Sequence, residues 1–152
     1  MATDLEFNPL FKGIEKEYLE FLYPLFVRVI CTKGTVVIKQ GEAADFLYLV
    51  EKGKVEISYK PYDGEAITIT HVGRDGLFGW SALLGSSKYT SSGIAIEDVE
   101  ALRIRGTELR ELCVENPEAG KKFLDRLASA VSARWKDAHK QVRSILEIGV
   151  TG

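Results

Sequence analysis

Histidine and cysteine are scarce in this chain, long apolar runs are missing, and neither sign of charge predominates. The two cysteines, Cys31 and Cys113, stand far apart, outside any CxxC or Cys/His spacing, so they read as reduced packing thiols and not as a disulfide or metal site. The two histidines, His71 and His139, each lack a nearby Ser/Asp or Cys partner pattern, which argues against triad hydrolysis and against most metal chemistry. A metal-binding jelly roll would need several histidines and a glutamate converging on adjacent strands. With one candidate, His71, an enzymatic reading has almost nothing to stand on, and His71 is expected to be an ordinary strand residue. No apolar run approaches the ~20 residues that span a bilayer, and the opening MATDLEFN lacks the basic flank and apolar core of a signal peptide. A cytoplasmic protein without a membrane partner is expected. Lys and Arg number 20 against 22 Asp and Glu, so bulk charge gives no reason to expect a nucleic-acid coat.

What is present is an ordinary globular composition. The hydrophobic fraction is 45 % over 152 residues, enough for one domain with a real core. From Leu5 to Leu25 the apolar residues Leu10, Phe11, Ile14, Tyr18, Leu19 and Leu22 recur at three and four, predicting an amphipathic helix that ends near Pro24. Between Phe26 and Ile104 short β-rich runs are punctuated by glycines, the pattern of an all-β sandwich or barrel. VEKGKVEIS, with Val55 and Ile57 alternating against Glu56 and Ser58, predicts a hairpin around Gly53. KPYDGEAITI predicts another around Asp63-Gly64.

After Arg105, Thr107 is a candidate cap for a helix over ELRELCVEN, and Pro117 marks the start of a longer one. In that last helix Leu124, Ala128, Val131, Trp135, Ala138, Val142 and Ile145 alternate steps of four and three, a heptad seam. Such a stripe can pack on its own β domain. Its length favours a partner helix, most simply in a homodimer.

Gly76 to Ser92, GLFGWSALLGSSKYTSS, combines a tight glycine turn with small residues that let a short helical turn begin. Alone it is a connecting turn, or a small anion site made of first-turn amides.

These residues converge on a family. KGTVVIKQGEAADFLYLVEKGKVEIS resembles the first signature of the cyclic nucleotide-binding domain superfamily, of the catabolite activator protein-like and kinase regulatory subunit-like type. The match is carried by Gly34, Val36, Val37, Gly41, Glu42, Ala44, Leu47, Tyr48, Val50, Gly53 and Val55. The resemblance implies an eight-stranded antiparallel β-roll with an N-terminal helix and two C-terminal helices. Residues 1–152 then form one domain, with the roll over about 26–105 and the helices over about 106–148.

The family's second signature, its phosphate-binding cassette, is matched by Phe78, Gly79, Ala82, Leu83 and Leu84. Trp80 stands where the resemblance implies a ribose-binding glutamate, and Lys88 and Tyr89 stand where it implies Pro-Arg, with Thr90 and Ser91 following. Neither indole nor phenol replaces a carboxylate or a guanidinium. Losing one charge-assisted hydrogen bond weakens phosphate binding by roughly 10- to 150-fold, so ordinary cyclic-AMP affinity is not expected. Trp80 either stacks on a flat ligand or plugs the pocket.

The expected ligand-binding set is therefore Phe78, Gly79, Trp80, Ser81, Ala82, Leu83, Tyr89, Thr90 and Ser91, holding a cyclic nucleotide or another small anionic ligand. The expected function is a non-catalytic regulatory module that signals through its last helix to a separate effector protein. The alternative is a degenerate, ligand-free dimerisation module. Only Gly149 to Gly152 follow the long helix, so direct nucleic-acid binding through a helix-turn-helix is not expected.

Overall fold

The strand FLYLVEK, Phe46–Lys52, is buried on both faces from Leu47 to Val50, and this explains the architecture. A strand apolar on both sides must be covered on both sides. In the computed structural model, which describes residues 11–84 and 87–127, one face meets a second sheet and the other meets helices.

Among the described residues eight strands form two four-stranded sheets. They are β1 Phe26–Cys31, β2 Val36–Ile38, β3 Phe46–Lys52, β4 Val55–Tyr59, β5 Ile67–Val72, β6 Leu77–Phe78, β7 Ser92–Ala95 and β8 Val99–Arg105. The first sheet runs β1-β8-β3-β6 and the second β2-β7-β4-β5, with every recorded pairing between them antiparallel. The inner core holds Tyr48, Val50, Phe78, Val99 and Ala101 from the first sheet, facing Ile38, Val55, Ile57 and Ala95 from the second. The alternate residues Leu47, Leu49, Leu77, Leu102 and Ile104 pack outward against Leu22, Leu109, Leu112, Phe123 and Leu127. Strand periodicity of two makes this division, since successive side chains point to opposite faces.

The helices are α1 Lys16–Leu22, continued by a 3₁₀ turn Tyr23–Leu25, α2 Trp80–Leu84, α3 Gly106–Glu115, and α4 over 117–127. α4 is held down by aromatic packing. Phe123 lies stacked on Phe11 with centroids 6.0 Å apart and edge-on to Phe26 at 5.7 Å. The Lys122–Glu15 ion pair at 2.9 Å is exposed at both ends and adds little.

Several expectations are corrected. The N-terminal helix is shorter than predicted, because Gly13 adopts φ +87° and α1 begins only at Lys16; Leu5 and Leu10 lie outside the described residues. Gly53 does not turn a hairpin: β3 and β4 belong to different sheets, and the chain crosses between them there. The alternation that suggested a hairpin is real, with Val55 and Ile57 buried, but it reports one buried face and says nothing of the partner strand. Gly53 is needed at φ +89°, where a Cβ would lie 2.2 Å from the Asp98 carbonyl oxygen. Thr107 is not the cap of α3; Arg105 occupies that position without a side-chain cap bond, and the helix starts at Gly106. The Asp63-Gly64 turn does join a hairpin, β4 with β5, and a helix does begin at residue 117. His71 is an exposed residue of β5.

Candidate functional site

The cassette segment leaves the first sheet at β6, turns at Gly79 and enters α2. Phe78 is buried, with its ring parallel to that of Tyr48 at 4.9 Å. Gly79 adopts φ +86°, and a Cβ there would sit 2.6 Å from the Phe46 carbonyl oxygen, so only glycine lets the segment pass this close to β3. Ser81 and Ala82 are buried, and the amide of Ala82 already donates to the Gly79 carbonyl at 3.2 Å. Trp80 is half-buried and packs against the outer cluster, on the helical side of the first sheet. Its ring is thus placed away from the inner core that a plug would fill. Leu83 belongs to α2, but its side chain lies outside the described ones.

The returning strand segment is tied to residues 41–44. Gly41 donates to the Tyr89 carbonyl at 2.9 Å, Tyr89 donates to Glu42 at 2.9 Å, and Ala44 donates to Ser87 at 3.1 Å. This pairing directs Tyr89 inward, where it is 7 % exposed among inner-core residues, and leaves Lys88 and Thr90 exposed. The Tyr89 hydroxyl accepts from the Phe46 amide at 3.0 Å and donates to the Phe46 carbonyl at 2.7 Å. Burial pushes its pKa from 10.0 up to about 12. Ser91 is half-buried. The cassette thus brings Phe78, Gly79, Ser81, Ala82 and Tyr89 together beside β3, with Thr90 at the surface.

Sequence reasoning missed the basic wall of the roll. On β8 the inward positions Val99 and Ala101 are followed in the same register by Arg103 and Arg105. Both guanidinium groups lie over the Phe46 ring, at 4.0 Å for Arg103 and 4.7 Å for Arg105. Burial raises the pKa of the adjacent Tyr48, while a hydrogen bond with Arg103 opposes the rise. The signal was in VEALRIR, where charge replaces apolar residues on the face that the period assigns to the core.

The cassette also touches the C-terminal helices. Arg110 of α3 donates to the Ala82 carbonyl, and Gly106 lies so close that a Cβ would fall 2.2 Å from the same oxygen. Gly120 of α4 also lies close against α3, since its Cβ would meet the Cys113 sulfur at 2.7 Å and the Cys113 Cα at 2.8 Å. Of the expected dimer seam only Leu124 falls among the described residues, and it is 36 % exposed; Ala128, Val131, Trp135, Ala138, Val142 and Ile145 lie outside them. The face of α4 that packs on its own domain carries Ala119, Phe123 and Leu127, a different stripe.

The family model of the cyclic nucleotide-binding domain matches residues 28–116, and the chain belongs to that family. It is 32 % identical over 97 residues to a cyclic AMP receptor protein of Thermus thermophilus, covering 64 % of this chain and 45 % of that protein. It is 26 % identical over 136 residues to a cAMP-dependent protein kinase regulatory subunit of Dictyostelium discoideum, covering 89 % of this chain and 42 % of the other. The chain spans about half the length of the curated relatives it matches. Among solved structures, a putative cyclic nucleotide-binding protein from Geobacter metallireducens superposes with a TM-score of 0.75 at 29 % identity, covering 88 % of this chain and 97 % of that one. No helix among the described residues is long and apolar enough to cross a membrane, and none of their His, Cys, Asp and Glu side chains group as a metal site.

Proposed function

We propose that this chain is a non-catalytic regulatory module that takes a nucleotide or other small ligand into its β-roll and transmits its presence to the C-terminal helices and, through them, to a separate effector. The observation that carries this reading is the direct contact of the cassette with α3 at Ala82, through Gly106 and the Arg110 bond. A ligand that displaces α2 by a few tenths of an ångström must also move α3, because packed backbones have no slack. α4 follows through the Gly120–Cys113 contact. The last helix then changes its relation to a second copy of the chain, if the Leu124 to Ile145 seam pairs as a homodimer. The relatives named above are regulators, which agrees with this role.

Thermal unfolding in millimolar cyclic AMP, cyclic GMP, their linear monophosphates and cyclic dinucleotides, with sulfate as ionic control, tests the proposal. A ligand at a hundred times its Kd adds ~2.7 kcal/mol, a rise of roughly 5 to 10 °C for a domain this size. A rise of that size with one class of nucleotide supports the module reading.

A second reading is favoured by one observation, the burial of Tyr89 beside Phe46 in the place where the family's arginine is implied. On that reading the roll has closed and the domain acts as a ligand-free dimerisation surface. No shift with any of these compounds, together with loss of partner capture in a folded Val131→Glu monomer, would favour it.

A further inference from the structure

We propose that the roll binds a phosphate-bearing small molecule through Arg103 and Arg105 of β8, so that the cation lost from the cassette is supplied from the sheet. The inference rests on the module reading above and names the ligand class of that site. Two guanidinium groups lie over one phenyl ring, at 4.0 and 4.7 Å from its centroid, and neither makes an ion pair with a carboxylate among the described residues. Like charges gathered at one ring repel, and an anion bound by them relieves that repulsion. The Nε of Arg103 is buried and has no hydrogen-bond partner among the described residues. A buried N–H without an acceptor is unfavourable, and a guanidinium offers five donors in a fork suited to two phosphate oxygens.

The neighbouring cassette fits this assignment. Tyr89 spends its hydroxyl on both polar groups of the Phe46 backbone and so fixes the residue on which the two arginines rest. The arginine wall and the cassette thus meet at one residue, Phe46, through its ring and its backbone respectively. Tyr48, which bonds Arg103, is itself stacked on Phe78 in the inner core, and so the wall is held from behind by packed aromatic rings. Asp45 is near enough to Tyr48 and Tyr89 to influence both, yet forms no ion pair with either arginine.

Isothermal titration of the intact chain with AMP, cyclic AMP, adenosine and inorganic phosphate tests the proposal, alongside Arg103→Met and Arg105→Gln. Arg105 is exposed at the end of its strand, so its replacement keeps the test open should Arg103→Met unfold. The expected result is saturable binding of a phosphate-bearing probe, with adenosine weaker and each variant losing roughly 10- to 150-fold. Binding of inorganic phosphate alone would identify a free anion as the ligand, and preference for AMP or cyclic AMP would identify a nucleotide. If a nucleotide binds but both folded variants and adenosine bind as well as the parent pair, the arginine assignment is wrong and the module reading survives. If the parent protein binds none of the four, and its thermal midpoint responds to no nucleotide, both fall together.

Discussion

Replacing Tyr89 by phenylalanine isolates the hydroxyl that pins the cassette to β3. The ring stays in the inner core, while the Phe46 amide and carbonyl each lose a partner, formerly at 3.0 and 2.7 Å. A net hydrogen bond contributes ~0.5 to 1.5 kcal/mol, and a buried group left unsatisfied costs about 1 to 3. Two bonds to one residue are not independent, so the expected loss is about 1 to 3 kcal/mol in total. Urea unfolding should show a lower midpoint with an unchanged slope, the sign of lost stability without a change in the unfolded state.

The same hydroxyl sets an alkaline dependence. Its folded pKa of about 12 lies above the ordinary 10.0, so the folded state holds the proton more tightly. The resulting stability is fully present below pH 10 and is lost as pH rises from 10 through 12. Allowing for partial hydration, that part amounts to about 1 to 2 kcal/mol. In Tyr89→Phe this portion of the alkaline loss should disappear. A variant within about 0.5 kcal/mol of the parent, the scatter of ordinary surface substitutions, and with the parent's profile above pH 10 would refute this reasoning.

Gly106→Ala should cost about 1 to 3 kcal/mol, because the new methyl would sit 2.2 Å from the Ala82 oxygen and the backbones must part; differential scanning calorimetry measures this directly. Arg110→Met keeps the helical volume but frees the Ala82 carbonyl, so amide exchange across Trp80–Leu84 should accelerate while that of β3 stays unchanged. Phe123→Ala removes the ring that stacks on Phe11 and should cost ~3 to 5 kcal/mol in urea unfolding. Leu124→Glu, on the exposed face of α4, should leave the monomer's stability unchanged and shift sedimentation toward monomer; an unaltered sedimentation profile would remove Leu124 from the dimer seam.

The spacing of glycines and short apolar runs was enough to read an all-β sandwich or barrel, because a two-residue period and Gly-marked turns are local properties; the eight-stranded roll followed only from the family resemblance. Strand partners are not local. VEKGKVEIS carried a correct one-sided pattern and a wrong hairpin, since the choice between pairing β3 with β4 or with β8 depends on residues fifty positions away. The N-terminal helix was overextended because Ile14 and Phe11 keep the helical period through Gly13, whose positive φ breaks it.

At the site, the substitutions at Trp80 and Tyr89 stood out in the sequence, but their consequences did not. A tryptophan at the start of α2 can face either side of the first sheet, and only packing places it among the outer residues. Tyr89 finds its partner in a backbone, that of Phe46, which no side-chain pattern announces. Arg103 and Arg105 were legible in principle, as charges on the apolar phase of a strand, yet their shared stacking on Phe46 needs the pairing of β8 with β3.

The most direct measurement of whether this roll is a working ligand module is a pair of amide–nitrogen correlation spectra of the labelled protein, with and without millimolar AMP or cyclic AMP. The account predicts saturable shifts at Phe46, Tyr48, Arg103 and Arg105, accompanied by shifts through Gly106–Glu115. Spectra unchanged by either nucleotide, or shifts confined to surface residues away from β3 and β8, would contradict it.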